Sequence, residues 1–229
     1  VGNPDGLADP AEDADWDDDE VDEERRTKHE KRSERPVPRV AVIGRPNVGK
    51  STLINRLLGA DRMLVDDRPG TTRDAVDAPV ETPDGPMVLI DTAGLRRRAR
   101  IADRLERLAV VSAVRAVERC HVAVLLVDGA ADAGADQDRH LLGLAADRGR
   151  ALIVAVNKLD LVLGAAAQRE LDQKLRDAFG FAAYAPILFV SARSGRGIRE
   201  LLKTIARTDE AYNRRVGTGE LNRFLEDAV

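Results

Sequence analysis

The sequence predicts a three-layer α/β domain on a mostly parallel six-stranded sheet with one antiparallel edge strand, preceded by a disordered acidic tail. Three observations predict it. Short apolar runs rich in β-branched residues recur without alternating polar positions, as expected of strands covered on both faces. Stretches of helical period separate these runs, and strands alternating with helices make βα units. The charge is also unevenly distributed. Residues 1–38 hold 14 acidic and 6 basic side chains, a net −8, whereas residues 39–229 hold 26 acidic and 30 basic, a net +4.

The tail comes first. Residues 1–24 contain twelve Asp or Glu and no Lys or Arg, and residues 25–35 then turn mixed and basic. Apolar side chains are too sparse there to offset the entropy of ordering the backbone, so 1–35 reads as a disordered linker. Pro36-Val37-Pro38 punctuates the boundary, because the residue before each proline is pushed to extended geometry. The expected organisation is an acidic linker over 1–38, a folded domain over 39–211 and the beginning of another over 212–229.

The folded part opens with the strand Val40–Ile43, and similar runs follow at Met87–Ile90, Val122–Val127, Leu152–Val156 and Ile187–Val190. The more polar Ala75–Glu81 reads as a weaker strand that pairs antiparallel at an edge, before the Pro83-Asp84-Gly85 turn. Helical periods cover Ser51–Leu58, Ile101–Arg119, Asp136–Arg148, Ala166–Phe179 and Gly197–Arg207. In Ile101–Arg119 the expected inward stripe is Leu105, Leu108, Val111/Ser112 and Arg115/Ala116.

Composition excludes several classes. The single cysteine, Cys120, rules out an internal disulfide framework and fits a reducing cytoplasmic setting. No apolar run approaches the roughly 20 residues of a membrane-spanning helix. The first residues lack the basic start and apolar stretch of a signal peptide, and a start at Val1 rather than Met fits a piece of a longer chain. His29, His121 and His140 have no metal-ligand spacing among themselves.

Chemistry enters at Gly44-Arg45-Pro46-Asn47-Val48-Gly49-Lys50-Ser51, which matches G-x-x-x-x-G-K-[ST] between a predicted strand and a predicted helix. Its glycines let successive N–H groups turn inward around phosphate oxygens, and the helix start adds its positive end. Lys50 is placed to reach the outer phosphates and the Ser51 hydroxyl to coordinate Mg²⁺. This loop alone does not distinguish ATP from GTP.

Three further motifs bear on the base. Asp91-Thr92-Ala93-Gly94 leaves the strand Met87–Ile90, where a carboxylate can hold a Mg²⁺-bound water and the Gly94 N–H can touch the terminal phosphate. Asn157-Lys158-Leu159-Asp160 follows Leu152–Val156. The Asp160 carboxylate can accept from guanine's ring N–H and exocyclic amine, a donor pair that adenine lacks. Asn157 can tie the loops together, and the Lys158 stem can cover a face of the base. Ser191-Ala192-Arg193 follows Ile187–Val190 and can offer the Ala192 N–H to the guanine oxygen. All four motifs stand at carboxyl ends of predicted strands, where open α/β sheets bind ligands.

Together they resemble the translation-factor-like class of P-loop GTPases, with a Ras-like G domain, from Arg39 to about Arg207. Pro69-Gly70-Thr71-Thr72-Arg73-Asp74 resembles the first switch of the Era-like branch, which implies that Thr72 joins Ser51 on Mg²⁺ when GTP is present. Asn47 with Thr71 resembles the constellation that holds a potassium ion against the phosphates in several of these GTPases. On this likeness Lys50, Thr72, Asn47 and Gly94 carry hydrolysis to GDP and phosphate, and Ser51-Thr52 and Thr92–Leu95 complete the nucleotide contacts. Leu95 stands where many small GTPases place a water-orienting glutamine, so hydrolysis by the isolated domain is expected to be slow.

Within the branch, Val42–Gly59, Pro69–Asp74 and Asp91–Arg97 are most similar to the second GTPase domain of the double Era-like GTPases. The acidic segment 5–24 resembles their inter-domain linker, and Gly219–Val229 the first helix of the KH-like domain that follows. The resemblance implies a switch in assembly of the large ribosomal subunit, with ribosomal RNA as partner. Leu159 and Leu108-Ala109 depart mildly from the family pattern. Three alternatives stay open: a P-loop ATPase or small-molecule kinase, another Era-like GTPase acting in tRNA modification or iron transport, and a GTP-binding scaffold with little hydrolysis.

Overall fold

The computed structural model describes residues 36–59, 77–92, 105–162 and 164–227, and Val37–Val229 forms one compact unit. Its frame is a six-stranded sheet in the order β2-β3-β1-β4-β5-β6. The strands are β1 (Arg39–Ile43), β2 (Ala78–Val80), β3 (Met87–Leu89), β4 (Val122–Asp128), β5 (Ala151–Asn157) and β6 (Ile187–Phe189). All neighbours pair parallel except β2 with β3, where Ala78 stands opposite Leu89 and Val80 opposite Met87. Among the described residues Ala78–Val80 pairs, and residues 75 and 76 lie outside them.

Helices α1 (Lys50–Gly59), α2 (Leu105–Arg119), α3 (Asp136–Asp147), α4 (Gly164–Ala178), α5 (Ile198–Tyr212) and α6 (Thr218–Asp227) complete the described regular structure, with a 3₁₀ turn at Gly180–Ala182. The two sheet faces carry separate cores. On one, Leu53, Ile54 and Leu57 of α1 and Ile198, Leu201 and Ile205 of α5 pack on Val40, Val42, Val124 and Ile153. On the other, Val117 of α2, Leu141 and Leu142 of α3 and Leu175 of α4 pack on Ala41, Leu125 and Val154. All seven residues of β4 are buried, and alternate ones serve opposite cores, which is why its sequence reads as one apolar run. Burying each such Val or Leu side chain stabilises the fold by about 1.5–3 kcal/mol relative to exposure.

Two expectations need correcting. On α2, Ala113, Ala116 and Val117 are buried while Val111 is 49% exposed, so of the predicted positions 111/112 and 115/116 the helix buries Ala116 and turns Val111 outward; the side chains at 105 and 108 lie outside the described residues. Small residues at 113 and 116 let the helix approach the sheet, and Ser112 faces a polar partner. Helix α5 runs five residues past Arg207, to Tyr212. Tertiary contacts hold that extra turn: Asp209 is buried with a carboxylate oxygen 3.4 Å from Nδ1 of His121, and the Tyr212 ring stacks on His121 with centroids 6.2 Å apart.

Candidate functional site

Chain order brings β1 between β3 and β4, so the phosphate loop leaves the sheet where the connections diverge to either side. Gly44 has φ +147°, and a Cβ there would fall 2.3 Å from the Leu126 carbonyl oxygen. Gly49 has φ +101°, and its Cβ would fall 2.3 Å from Nδ2 of Asn157. Only glycine fits either position. Between them Asn47 takes a left-handed φ of 63°, which asparagine tolerates better than most residues, and lies exposed, while Val48 is buried. The Lys50 ammonium donates to the Gly44 carbonyl at 2.8 Å and to that of Arg45. The loop is thereby wrapped around the cation meant for the phosphates, which suits a nucleotide's terminal phosphates.

The second and third loops join the first through one side chain. Asn157 is 3% exposed; its Nδ2 donates to the Val48 carbonyl at 2.8 Å and its Oδ1 accepts from the Ala192 N–H at 2.9 Å. The Ala192 N–H, expected to face the guanine oxygen, donates to Asn157 in this structure. Asp160 is exposed, and one of its carboxylate oxygens accepts from the Ser191 hydroxyl at 2.6 Å. Ser191, itself 1% exposed, accepts in turn from the Ser194 N–H at 3.1 Å. That serine hydrogen bond, with smaller help from Arg193 and Lys158, holds the Asp160 carboxyl below the usual carboxylate range. The result is an exposed carboxylate whose orientation Ser191 fixes. Lys158 (φ 65°) pairs its ammonium with Asp128, leaving its stem along the loop, and Leu159 is buried with its N–H bonded to the Val190 carbonyl.

Asp91 ends the third strand region in a left-handed conformation, φ 56°. Its N–H donates to Asp77 at 3.4 Å and its Oδ2 accepts from the Ser112 hydroxyl, while Thr92 is buried. Ser51, next to Lys50 in the first turn of α1, keeps its residue partly exposed. A serine hydroxyl and a carboxylate are hard oxygen donors, and Mg²⁺ takes one or two of these beside waters and phosphate oxygens, so the set fits that ion. Thr71, Thr72, Ala93, Gly94 and Leu95, together with the whole Pro69–Asp74 motif and the basic run 96–100, lie outside the described residues.

Sequence reasoning missed Arg56, Ser112, Asp128 and Asp138, and placed Arg45 among the phosphate-loop contacts. Arg45 turns its guanidinium away from the loop to Asp138 of α3 at 3.0 Å and to the Asp132 carbonyl. Burial pushes the fully buried Asp138 carboxyl up, and Arg45 opposes that rise. Arg56 of α1 donates to the carbonyls of Ala192 (2.6 Å) and Arg193, binding the helix after the phosphate loop to the loop beside the base. Ser112 holds Asp91, and Asp128 holds Lys158. The partners of Arg45 and Arg56 lie 93 and 136 residues along the chain, so no local spacing signals them.

Comparison with known proteins agrees with this geometry. Residues 39–158 match the family described as "50S ribosome-binding GTPase", and residues 110–210 match "Elongation factor Tu GTP binding domain". The GTPase Der of Moorella thermoacetica is 46% identical over 194 residues, covering 83% of this chain and 44% of the relative. That of Clostridium acetobutylicum is 42% identical over 212 residues, 92% of this chain and 48% of the relative. The chain thus spans about half the length of the curated relatives it matches. Among solved structures, Era in complex with MgGDPNP and nucleotides 1506–1542 of 16S ribosomal RNA is 27% identical with a TM-score of 0.57, over 75% of this chain and 56% of that one. Era of Aquifex aeolicus bound to GDP and aluminium fluoride is 25% identical with a TM-score of 0.58, over 80% of this chain and 59% of that one.

Proposed function

Because this chain belongs to the 50S ribosome-binding GTPase family and carries a GTPase domain of the Der type, we propose that it is a Mg²⁺-dependent, GTP-hydrolysing switch in assembly of the large ribosomal subunit. One observation carries the nucleotide part. Asn157 ties the phosphate loop at Val48 to the guanine loop at Ala192, and beside it Ser191 holds Asp160 ionised. A base with an N–H and an amine side by side satisfies that carboxylate, whereas adenine leaves it unpaired, which supports guanine over adenine.

When bound, Mg²⁺ would offset the negative charge of the phosphates. This chain's residues toward it are the Ser51 hydroxyl, Thr72, and Asp91 through a water. Lys50 sits over the outer phosphates, and the N–H of Gly94 meets the terminal one. Asn47 and Thr71 would hold a potassium ion, which predicts faster turnover in KCl than in NaCl. With Leu95 in place of a water-orienting side chain, turnover of the chain alone is slow and rises with ribosomal particles. Residues 1–38 act as the acidic linker and 39–211 as the second GTPase domain of a two-domain parent. Residues 212–229 begin a KH-like domain, which fits α6 with Leu221, Phe224 and Leu225 exposed along it. Ribosomal RNA of the large subunit is the partner, and the setting is cytoplasmic.

The test exchanges the base. Wild-type chain binds labelled GTP unaffected by excess ATP, while Asp160→Asn, whose amide can donate, loses GTP and gains xanthosine triphosphate, which carries a carbonyl where guanine has its amine. ATP competing equally with GTP would sink the reading.

A further inference from the structure

We propose that the outward side of α5 is a docking surface for the phosphodiester backbone of RNA, built from Arg199, Lys203 and Arg207 and continued by Arg193 and Arg196 of the preceding loop. The inference rests on the reading above that RNA is the partner, and adds where the chain meets it.

Helix phase places these residues. Ile198, Leu201, Ile205 and Asp209 are the buried positions of α5, so Arg199, Lys203 and Arg207, four residues apart, fall on the opposite side. Arg193, Arg196, Arg199 and Arg207 are exposed and Lys203 partly so. Successive heads on the helix are separated by about 6 Å of rise, which makes a ladder rather than a cluster.

Several cations elsewhere on the domain have acidic neighbours. Arg39 and Arg119 pair with Asp77, Arg148 with Glu118, Lys174 with Asp132 and Arg176 with Asp172. Among the described residues, none of the five ladder side chains makes a hydrogen bond or an ion pair. Residues 193–215 contain seven Lys or Arg against three Asp or Glu, a net +4. That equals the whole excess of residues 39–229, which hold 30 basic and 26 acidic side chains. Residues 96–107, with six Lys or Arg against two Asp or Glu, form another such basic stretch, but on this helix the like charges left unpaired along one side favour a polyanion.

The chemistry selects the class of polyanion. Four of the five are arginines, whose planar fork takes phosphate oxygens two at a time. No large apolar side chain is exposed between 193 and 207, so the face lacks the aromatic and aliphatic centre on which protein interfaces depend.

The experiment uses the full chain, with protein-free large-subunit ribosomal RNA as probe, titrated from low to high KCl. The triple variant Arg199→Glu, Lys203→Glu, Arg207→Glu is expected to bind at least ten-fold more weakly at low salt. The neutral set Arg199→Gln, Lys203→Gln, Arg207→Gln should lower the log–log salt slope by about 2 to 3, the value for three lost phosphate contacts. GTP affinity should be unchanged in both, since none of the three residues meets the nucleotide, and that readout confirms folding. If the reversed variant does not fold, the Gln set carries the same test. Wild-type binding with an unchanged slope in the variants would overturn this surface and leave the RNA partner standing. Wild-type chain that does not bind RNA at all would overturn both. Competition by polyglutamate as effective as by RNA of equal charge would assign the face to an acidic protein instead.

Discussion

Asn157 donates to the Val48 carbonyl at 2.8 Å and accepts from the Ala192 N–H at 2.9 Å, so a single buried amide fixes the distance between the Gly44–Ser51 loop and the Ser191–Arg193 loop. Removing it leaves two buried backbone groups unpaired, at a cost of about 3 kcal/mol, on the order of 100-fold in nucleotide affinity. Asn157→Ala is expected to lose that much GDP affinity by fluorescence titration. Gly49→Ala should behave alike, because its Cβ would meet Nδ2 of Asn157 at 2.3 Å. Wild-type affinity in either variant would refute the clamp.

Ser191 tunes the acceptor beside it. Its hydroxyl bond to Asp160 favours the charged carboxylate and lowers the carboxyl's pKa. A depressed folded value contributes above the unfolded pKa and is lost as pH falls through the folded one. In Ser191→Ala the Asp160 pKa rises, so the acid limb of guanine-nucleotide affinity moves to higher pH. Superimposable affinity–pH curves for the two proteins would contradict this.

Arg56 reaches from α1 to the carbonyls of Ala192 and Arg193. Arg56→Ala should free the loop beside the base and weaken GTP binding about 10-fold, the equivalent of about one such hydrogen bond to a charged group. Arg56→Lys should restore only part of it, since one ammonium does not reproduce the planar fork. Thermal denaturation run in parallel separates this effect from general destabilisation.

Arg45 shows the energetics of a buried pair. Asp138 is fully buried 3.0 Å from the guanidinium, and desolvation raises its carboxyl pKa while Arg45 lowers it. Arg45→Ala should destabilise the fold by about 3 kcal/mol at pH 7, and Arg45→Met with Asp138→Leu should recover most of that. A raised folded pKa contributes stability that is present below the unfolded value and lost as pH rises through the folded one. The deficit of Arg45→Ala therefore narrows toward pH 4, as urea unfolding at both pH values can check.

Cys120 is fully buried at the end of α2, and burial pushes its thiol up to about 11. The native chain should resist thiol reagents at pH 8 and react once unfolded in urea, because the thiolate is the nucleophile. Rapid native labelling would mean that this side of the core opens readily.

By itself, the sequence determined the class of fold and the places where chemistry sits. Unbroken apolar runs such as Val122–Val127 read as strands covered on both faces, and the described parts of the four motifs, at 44–51, 91–92, 157–160 and 191–193, stand at strand ends as the sequence placed them. Such signals are local, a few residues wide, and the backbone obeys them wherever the chain goes. The tertiary structure decided what is set by distance in space rather than along the chain. On α2 it buried Ala113, Ala116 and Val117 and left Val111 exposed, and it carried α5 to Tyr212 through contacts with His121. It also gave Arg45 to Asp138, Arg56 to the guanine loop and Ser112 to Asp91. A polar side chain near a core takes the partner that satisfies its hydrogen bonds at least desolvation cost. Which partner that is depends on how strands and helices stack, and Asn157 joins Val48 to Ala192 only because β1, β5 and the end of β6 bring their carboxyl ends to one edge.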